Sequence, residues 1–78
     1  MNVKVEILHA ATEESVGFLN NAPGMPEEFG TVREARNAIS EFIEANPNTA
    51  TSLAFVVEYV NGDHVGVVYF EGYWKYEL

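Results

Sequence analysis

The chain has 78 residues, 47% of them apolar, with twelve acidic and four basic side chains giving a formal charge of -8. That length buries only roughly 60% of the unfolded surface, enough for a single domain spanning 1-78 around one core, and the apolar fraction excludes a disordered tail. The absence of cysteine excludes a disulfide framework and points to a reducing, cytoplasmic setting, while the acid excess opposes direct nucleic-acid or anionic-lipid contact and favours a protein partner with a basic surface.

Val3, Val5 and Ile7 alternate with Lys4 and Glu6, which predicts a first strand over residues 3 to 9 and lacks the basic start and unbroken apolar stretch of an export signal. From Ala10 to Gly30 the pattern dissolves into turn formers around Thr12-Glu13-Glu14-Ser15 and Asn20-Asn21-Ala22-Pro23-Gly24-Met25-Pro26. Val16, Phe18 and Leu19 admit a short extra strand near 15-19; otherwise the segment is a long loop or lid. Thr31-Val32-Arg33-Glu34 is a capping box in which the threonine hydroxyl accepts from the Glu34 N–H and the Glu34 carboxylate reaches back to the threonine N–H. The helix it opens runs over about residues 32 to 45: Val32, Ala35, Ile39, Phe42 and Ile43 fall within about 100° of arc, and Asn46-Pro47 ends it.

Thr51 to Val60 and His64 to Phe70 are rich in β-branched and aromatic residues, and Asn61-Gly62 between them is a hairpin signal. Glu71-Gly72 turns the chain again into Tyr73 to Leu78, completing a three-stranded meander. The expected architecture is α+β, one amphipathic helix on a mainly antiparallel sheet of about four strands in the order β-α-β-β-β. The longest apolar run, Leu53 to Val57, is five residues, against about 20 for a membrane-spanning helix.

With two-residue loops, Tyr59 faces His64 and Phe70 faces Tyr73, placing Leu53, Phe55, Val57, Tyr59, Val68 and Phe70 on one sheet face. Ala54, Val56, Val60, Val65, Val67, Tyr69, Trp74, Tyr76 and Leu78 lie on the other. Both faces are then apolar, and one helix covers only one. The second requires the 10–30 segment, another copy of the chain, or a partner.

Nothing in the sequence is arranged for catalysis. His9 and His64 are on different strands with no further ligands to form a metal site, and there is neither a Gly-x-Ser-x-Gly elbow nor a phosphate-binding glycine loop. The adjacent pairs Glu13-Glu14 and Glu27-Glu28 sit in solvated loops where carboxylates are rarely tuned, so an enzyme using one of them with a divalent ion is a remote option. No catalytic residue, metal or cofactor is expected.

The placement of charge is more informative. On the helical wheel Glu34 and Glu41 differ by about 20° and Glu44 lies about 60° further round, opposite the apolar arc. Arg33 and Arg36 near the positive end, with Glu41 and Glu44 toward the negative end, oppose the helix dipole at about 0.3–1 kcal/mol each. Local rules broken without local gain point to a surface kept for binding. Glu27 and Glu28 extend the acidic stripe, so Glu27, Glu28, Glu34, Glu41 and Glu44 form the expected partner-binding set, spaced on the scale of nucleic-acid phosphates. Tyr69, Trp74 and Tyr76 share one predicted face and form a second candidate interface, to a partner or in a homodimer. Base stacking by these aromatics would require surrounding bases, and Lys75 alone does not supply them.

The stretch Asn21-Ala22-Pro23-Gly24-Met25, followed by Phe29-Gly30-Thr31-Val32-Arg33-Glu34-Ala35-Arg36-Asn37-Ala38-Ile39, resembles the Pro-Gly … Gly-x-Thr … Glu-Ala signature of HicB-type antitoxins, where it joins a strand to the first helix. The resemblance covers at most residues 3 to 43 and departs from the family in lacking a clear two-strand hairpin before the helix and a DNA-binding appendage. As a class, a small, acidic, cysteine-free α+β chain resembles phage and mobile-element proteins that block bacterial defence, including anti-restriction and anti-CRISPR proteins, some of which mimic DNA charge. The expected function is therefore a non-enzymatic inhibitor or adaptor that docks on a basic, nucleic-acid-binding protein. The alternatives are a homo-oligomeric assembly module using the aromatic face, or a HicB-like antitoxin.

Overall fold

A computed structural model describes residues 2–69 and the backbone of residues 74–77. In chain order it contains strand β1 (Val3–His9), strand β2 (Ser15–Phe18), a 3-10 turn (Leu19–Asn21), helix α1 (Val32–Ala45), a single helical turn α2 (Pro47–Ala50), and strands β3 (Leu53–Tyr59), β4 (His64–Tyr69) and β5 (Trp74–Glu77). The strands form one sheet in the order β2-β1-β3-β4-β5, with every neighbouring pair antiparallel. This is the expected α+β architecture, and the extra strand near 15-19 raises the sheet to five.

Central position follows from composition. β3 is flanked on both sides, and its residues Leu53 to Val57 are all buried, as an unbroken apolar run requires of a strand covered on both faces. β1 pairs with it in continuous register from Val3 opposite Tyr59 to His9 opposite Leu53. Val3, Val5 and Ile7 consequently join Leu53, Phe55 and Val57 on the face that α1 covers. Ala35, Ala38 and Ile39 of the helix are buried there, with Phe42 edge-on to Phe55 at 5.5 Å between ring centroids. The helix begins at Thr31, whose side chain accepts from the Glu34 N–H at 3.1 Å. The return contact differs by one residue from expectation: the Glu34 carboxylate accepts from the Gly30 N–H at 3.0 Å. A side chain at position 30 would place its Cβ 3.3 Å from that carboxylate oxygen, so glycine permits the close approach.

Residues 10 to 30 resolve into structure, and the part from Leu19 to Phe29 covers the helix side, while Ala10 packs on the opposite face. β1 and β2 form an antiparallel hairpin, which corrects the reading that no two-strand hairpin precedes the helix. Leu19, Ala22, Met25 and Phe29 then pack into the same core as α1, and Phe29 exchanges both backbone hydrogen bonds with Val3 at 2.8 and 2.9 Å. One buried polar side chain fastens the segment: the Asn20 Oδ1 accepts from the Val5 N–H at 2.9 Å, and its Nδ2 donates to the Pro26 carbonyl at 3.0 Å.

The β3–β4 register follows the hairpin signal except next to the turn. Ala54, Phe55, Val56 and Val57 face Tyr69, Val68, Val67 and Gly66, as a two-residue loop predicts. At the turn itself Tyr59 does not face His64. The Gly62 N–H donates to the Tyr59 carbonyl and the Tyr59 N–H donates to the Asp63 carbonyl, both at 2.8 Å, with Gly62 at φ +98°. The loop therefore has three residues, Val60 to Gly62, with glycine in the conformation it alone adopts cheaply. A bulge compensates by pairing His64 with Glu58 and leaving Val65 as the extra residue. Val65 is thereby turned to the helix side, where it packs against the core, and Val60 is left 48% exposed; both were expected on the opposite face. The predicted Glu71-Gly72 turn and Phe70–Tyr73 pair lie outside the described residues.

Replacing Asn20 by alanine leaves the Val5 N–H and the Pro26 carbonyl without this partner and should lower stability by about 1–3 kcal/mol in urea denaturation. A loss near zero would mean that water substitutes at both groups and that the segment is not held by this side chain.

Candidate binding surface

The five carboxylates of the acidic set are all exposed. Glu27 and Glu28 lie in the segment leading to α1, Glu34 in its first turn, and Glu41 and Glu44 on its C-terminal half. Two of them are held in place. The Glu28 carboxylate accepts from the Asn2 side-chain N–H at 2.8 Å, and Glu34 accepts from the Gly30 N–H. Both donors are neutral, so these bonds orient the carboxylates without cancelling their charge. At 1.5 Å of rise per residue, Glu34 to Glu44 spans about 15 Å. Three carboxylates over that length compare with about four phosphates on one nucleic-acid strand and about nine on a duplex.

The same helix surface carries the two arginines of the chain. Arg33 and Arg36, with Val32, Asn37 and Ser40, line a shallow depression of about 370 Å³. The exposed face of α1 is therefore of mixed sign toward its N-terminus, where Glu34 accompanies Arg33 and Arg36, and acidic toward its C-terminus, and is not uniformly acidic.

The meander's face opposite α1 was expected to be apolar, but the sheet face there has two ends of different character. Ala54, Val56 and Val67 form a second cluster, 4–5% exposed, with Leu8, Ala10 and Tyr69 packed against it. Beside them is a groove of about 220 Å³ lined by these residues together with His9, Glu13 and His64. Sequence patterning missed the other end. Lys4 and Glu58 are direct cross-strand partners, and His64 Nε2 lies 3.6 Å from the Glu58 carboxylate. Glu6 accepts from the Ser15 hydroxyl at 2.8 Å, and the Lys4 ammonium sits 5.5 Å from the centre of the Phe18 ring. The signal was present in Lys4 and Glu6, the polar positions of β1's alternation, but it acquires a location only when β1 is known to pair with β3.

Tyr69 of the aromatic set is on this face, partly buried against the second cluster. The side chains of Trp74 and Tyr76 lie outside the described residues. Among the described residues, the large hydrophobic side chains left exposed are Val16 and Val60. Val16 is the bulged residue of edge strand β2, between the Ile7–Gly17 and Leu8–Ser15 pairs, and a bulge there blunts an open sheet edge. No group of three or more histidine, aspartate or glutamate side chains placed to hold a metal ion occurs among the described residues, and none of their helices is long and apolar enough to cross a membrane.

The chain matches no protein-family model, no curated protein and no solved structure.

Glu58 shows how crowded the polar end is. Burial raises its pKa above the ordinary 4.5, the negative charge of Glu6 raises it further, and His64 and Lys4 pull it back. A carboxyl that holds its proton more tightly folded than unfolded contributes stability that is fully present below pH 4.5 and is lost as pH rises through its folded pKa. Glu58→Gln stays uncharged and should remove that decline, so the variant gains stability on the parent chain as thermal unfolding is followed upward from about pH 4. Parallel profiles for the two proteins would mean that Glu58 experiences no net cost of ionisation.

Proposed function

We propose that this protein is a non-enzymatic inhibitor or adaptor that binds the basic surface of a protein partner through the exposed carboxylates of α1 and the segment before it. The observation that carries this reading is the exposure of Glu27, Glu28, Glu34, Glu41 and Glu44, within a chain of formal charge -8. Glu28 and Glu34 are tethered by neutral donors, so less side-chain entropy is lost when they meet a cation. Such a field speeds encounter with a basic groove and weakens with salt. The density of charge on α1 is closer to that of a single nucleic-acid strand than of a duplex. This favours a groove that handles nucleic acid without requiring duplex mimicry in detail, and it fits an anti-defence protein of the anti-restriction or anti-CRISPR kind acting in the cytoplasm.

Two other readings rest on narrower observations. A homodimer or assembly module would use the face that carries Tyr69, but the cluster beneath it is already buried within one chain, which leaves little apolar area among the described residues to drive association. A HicB-like antitoxin role gains from the β1–β2 hairpin ahead of α1.

The test is charge reversal with a cap control. Changing Glu34, Glu41 and Glu44 to lysine should weaken capture of a basic protein from bacterial lysate by at least about tenfold. Glu34→Gln retains an acceptor for the Gly30 N–H and should leave the helix intact with only a partial loss of binding. Undiminished capture by the triple variant would exclude the acidic surface as the docking site.

A further inference from the structure

The groove on the sheet face opposite α1 has an apolar floor and polar ends, and its size is informative. Its volume of about 220 Å³ is below the roughly 300 Å³ at which pockets for small organic ligands begin, and it suits one long side chain. Ala54 provides the depression, as the smallest residue in a row across three strands between Leu8 on β1 and Tyr69 on β4. Val56 and Val67 continue the floor. Glu13 stands at one end beside His9, and His64 stands at the other with the Glu58 carboxylate 3.6 Å behind it.

Glu13 is held where it is by an unusual backbone. It adopts φ 62°, a left-handed conformation that costs an ordinary residue about 1 kcal/mol or more. The turn is closed by the Glu13 N–H donating to the His9 carbonyl and the His9 N–H donating to the Glu14 carbonyl, at 2.8 and 2.9 Å.

We propose that this groove is a socket for one arginine side chain of the protein partner. The inference rests on the reading that the partner's surface is basic, and it specifies a contact separate from the helix. An arginine has an aliphatic stem that covers apolar surface while its head stays polar. Here the stem lies along Ala54, Val56 and Val67. The planar guanidinium donates to the Glu13 carboxylate, a pairing that a lysine ammonium makes less well. The formal charge of -8 draws a cation to the site, and the apolar floor selects a cation with a long stem.

The experiment is an NMR titration with a pentapeptide bearing a single arginine among glycines, compared with the same peptide containing citrulline, its uncharged near-isostere. The arginine peptide should shift the backbone amides of Ala54, Val56 and Val67 saturably, and the citrulline peptide should bind at least about tenfold more weakly. Glu13→Gln, a change on an exposed turn, and Ala54→Val, which fills the floor, should each weaken the arginine peptide several-fold. Equal responses to both peptides would overturn the socket. So would shifts confined to Glu34, Glu41 and Glu44, a result that leaves the acidic helix surface standing as the docking site. Saturable arginine shifts in the groove, combined with partner capture that survives reversal of the helix charges, would retain the socket and remove the proposed use of the helix.

Discussion

The seven cross-strand pairs between β1 and β3 are the constraint on which the rest of this structure depends. They join the N-terminal strand to the C-terminal meander and make β3 a central strand. They also fix which side of β1 faces the helix. A shift of one residue would exchange the faces, turning Val3, Val5 and Ile7 away from α1 and driving Lys4 and Glu6 into the core, at a cost of several kcal/mol for each uncompensated charge. The alternation in β1 thus sets both the core and the chemistry of the opposite face.

Around that pairing the chain divides its resources unevenly. The helix and the 19–29 segment share one face of the sheet, where the larger core lies. The other face carries a small cluster of short side chains, a groove and a row of charges. Folding stability is concentrated on the first face, which leaves the second available for recognition, as does the solvent side of α1. An acidic protein of this size can then meet a basic partner in two ways, by the long-range field of its carboxylates and by a shaped site with an apolar floor. The first sets the rate and salt dependence of encounter, and the second contributes specificity.

Much of the fold was legible where a local rule and the global pattern agreed. The capping box placed the start of α1, the period-two pattern placed β1, and Asn61-Gly62 placed the β3–β4 hairpin with its inner pairs in the expected register. What was not legible depended on tertiary partners or on small departures from regularity. The three-residue loop and the bulge at Val65 cancel in their effect on register, so the sequence resembles that of a plain two-residue hairpin although Val60 and Val65 are placed differently. Apart from the short strand admitted near 15-19, residues 10 to 30 showed only turn formers, because their order comes from Asn20, Phe29 and the pairing to β1, which are contacts at a distance. The carboxylates of α1 could be found by spacing alone. The groove could not, since His9, Glu13, Ala54 and His64 come together only through strand order.

The central claim is that binding is driven by electrostatic attraction to a basic protein surface, and the association rate as a function of ionic strength tests it most directly. For a partner captured at low salt, the account predicts a rate constant that falls by about tenfold or more between roughly 0.02 and 0.5 M salt, with a much smaller change in dissociation. An association rate independent of salt would contradict the account and place the energy of binding in apolar contact instead.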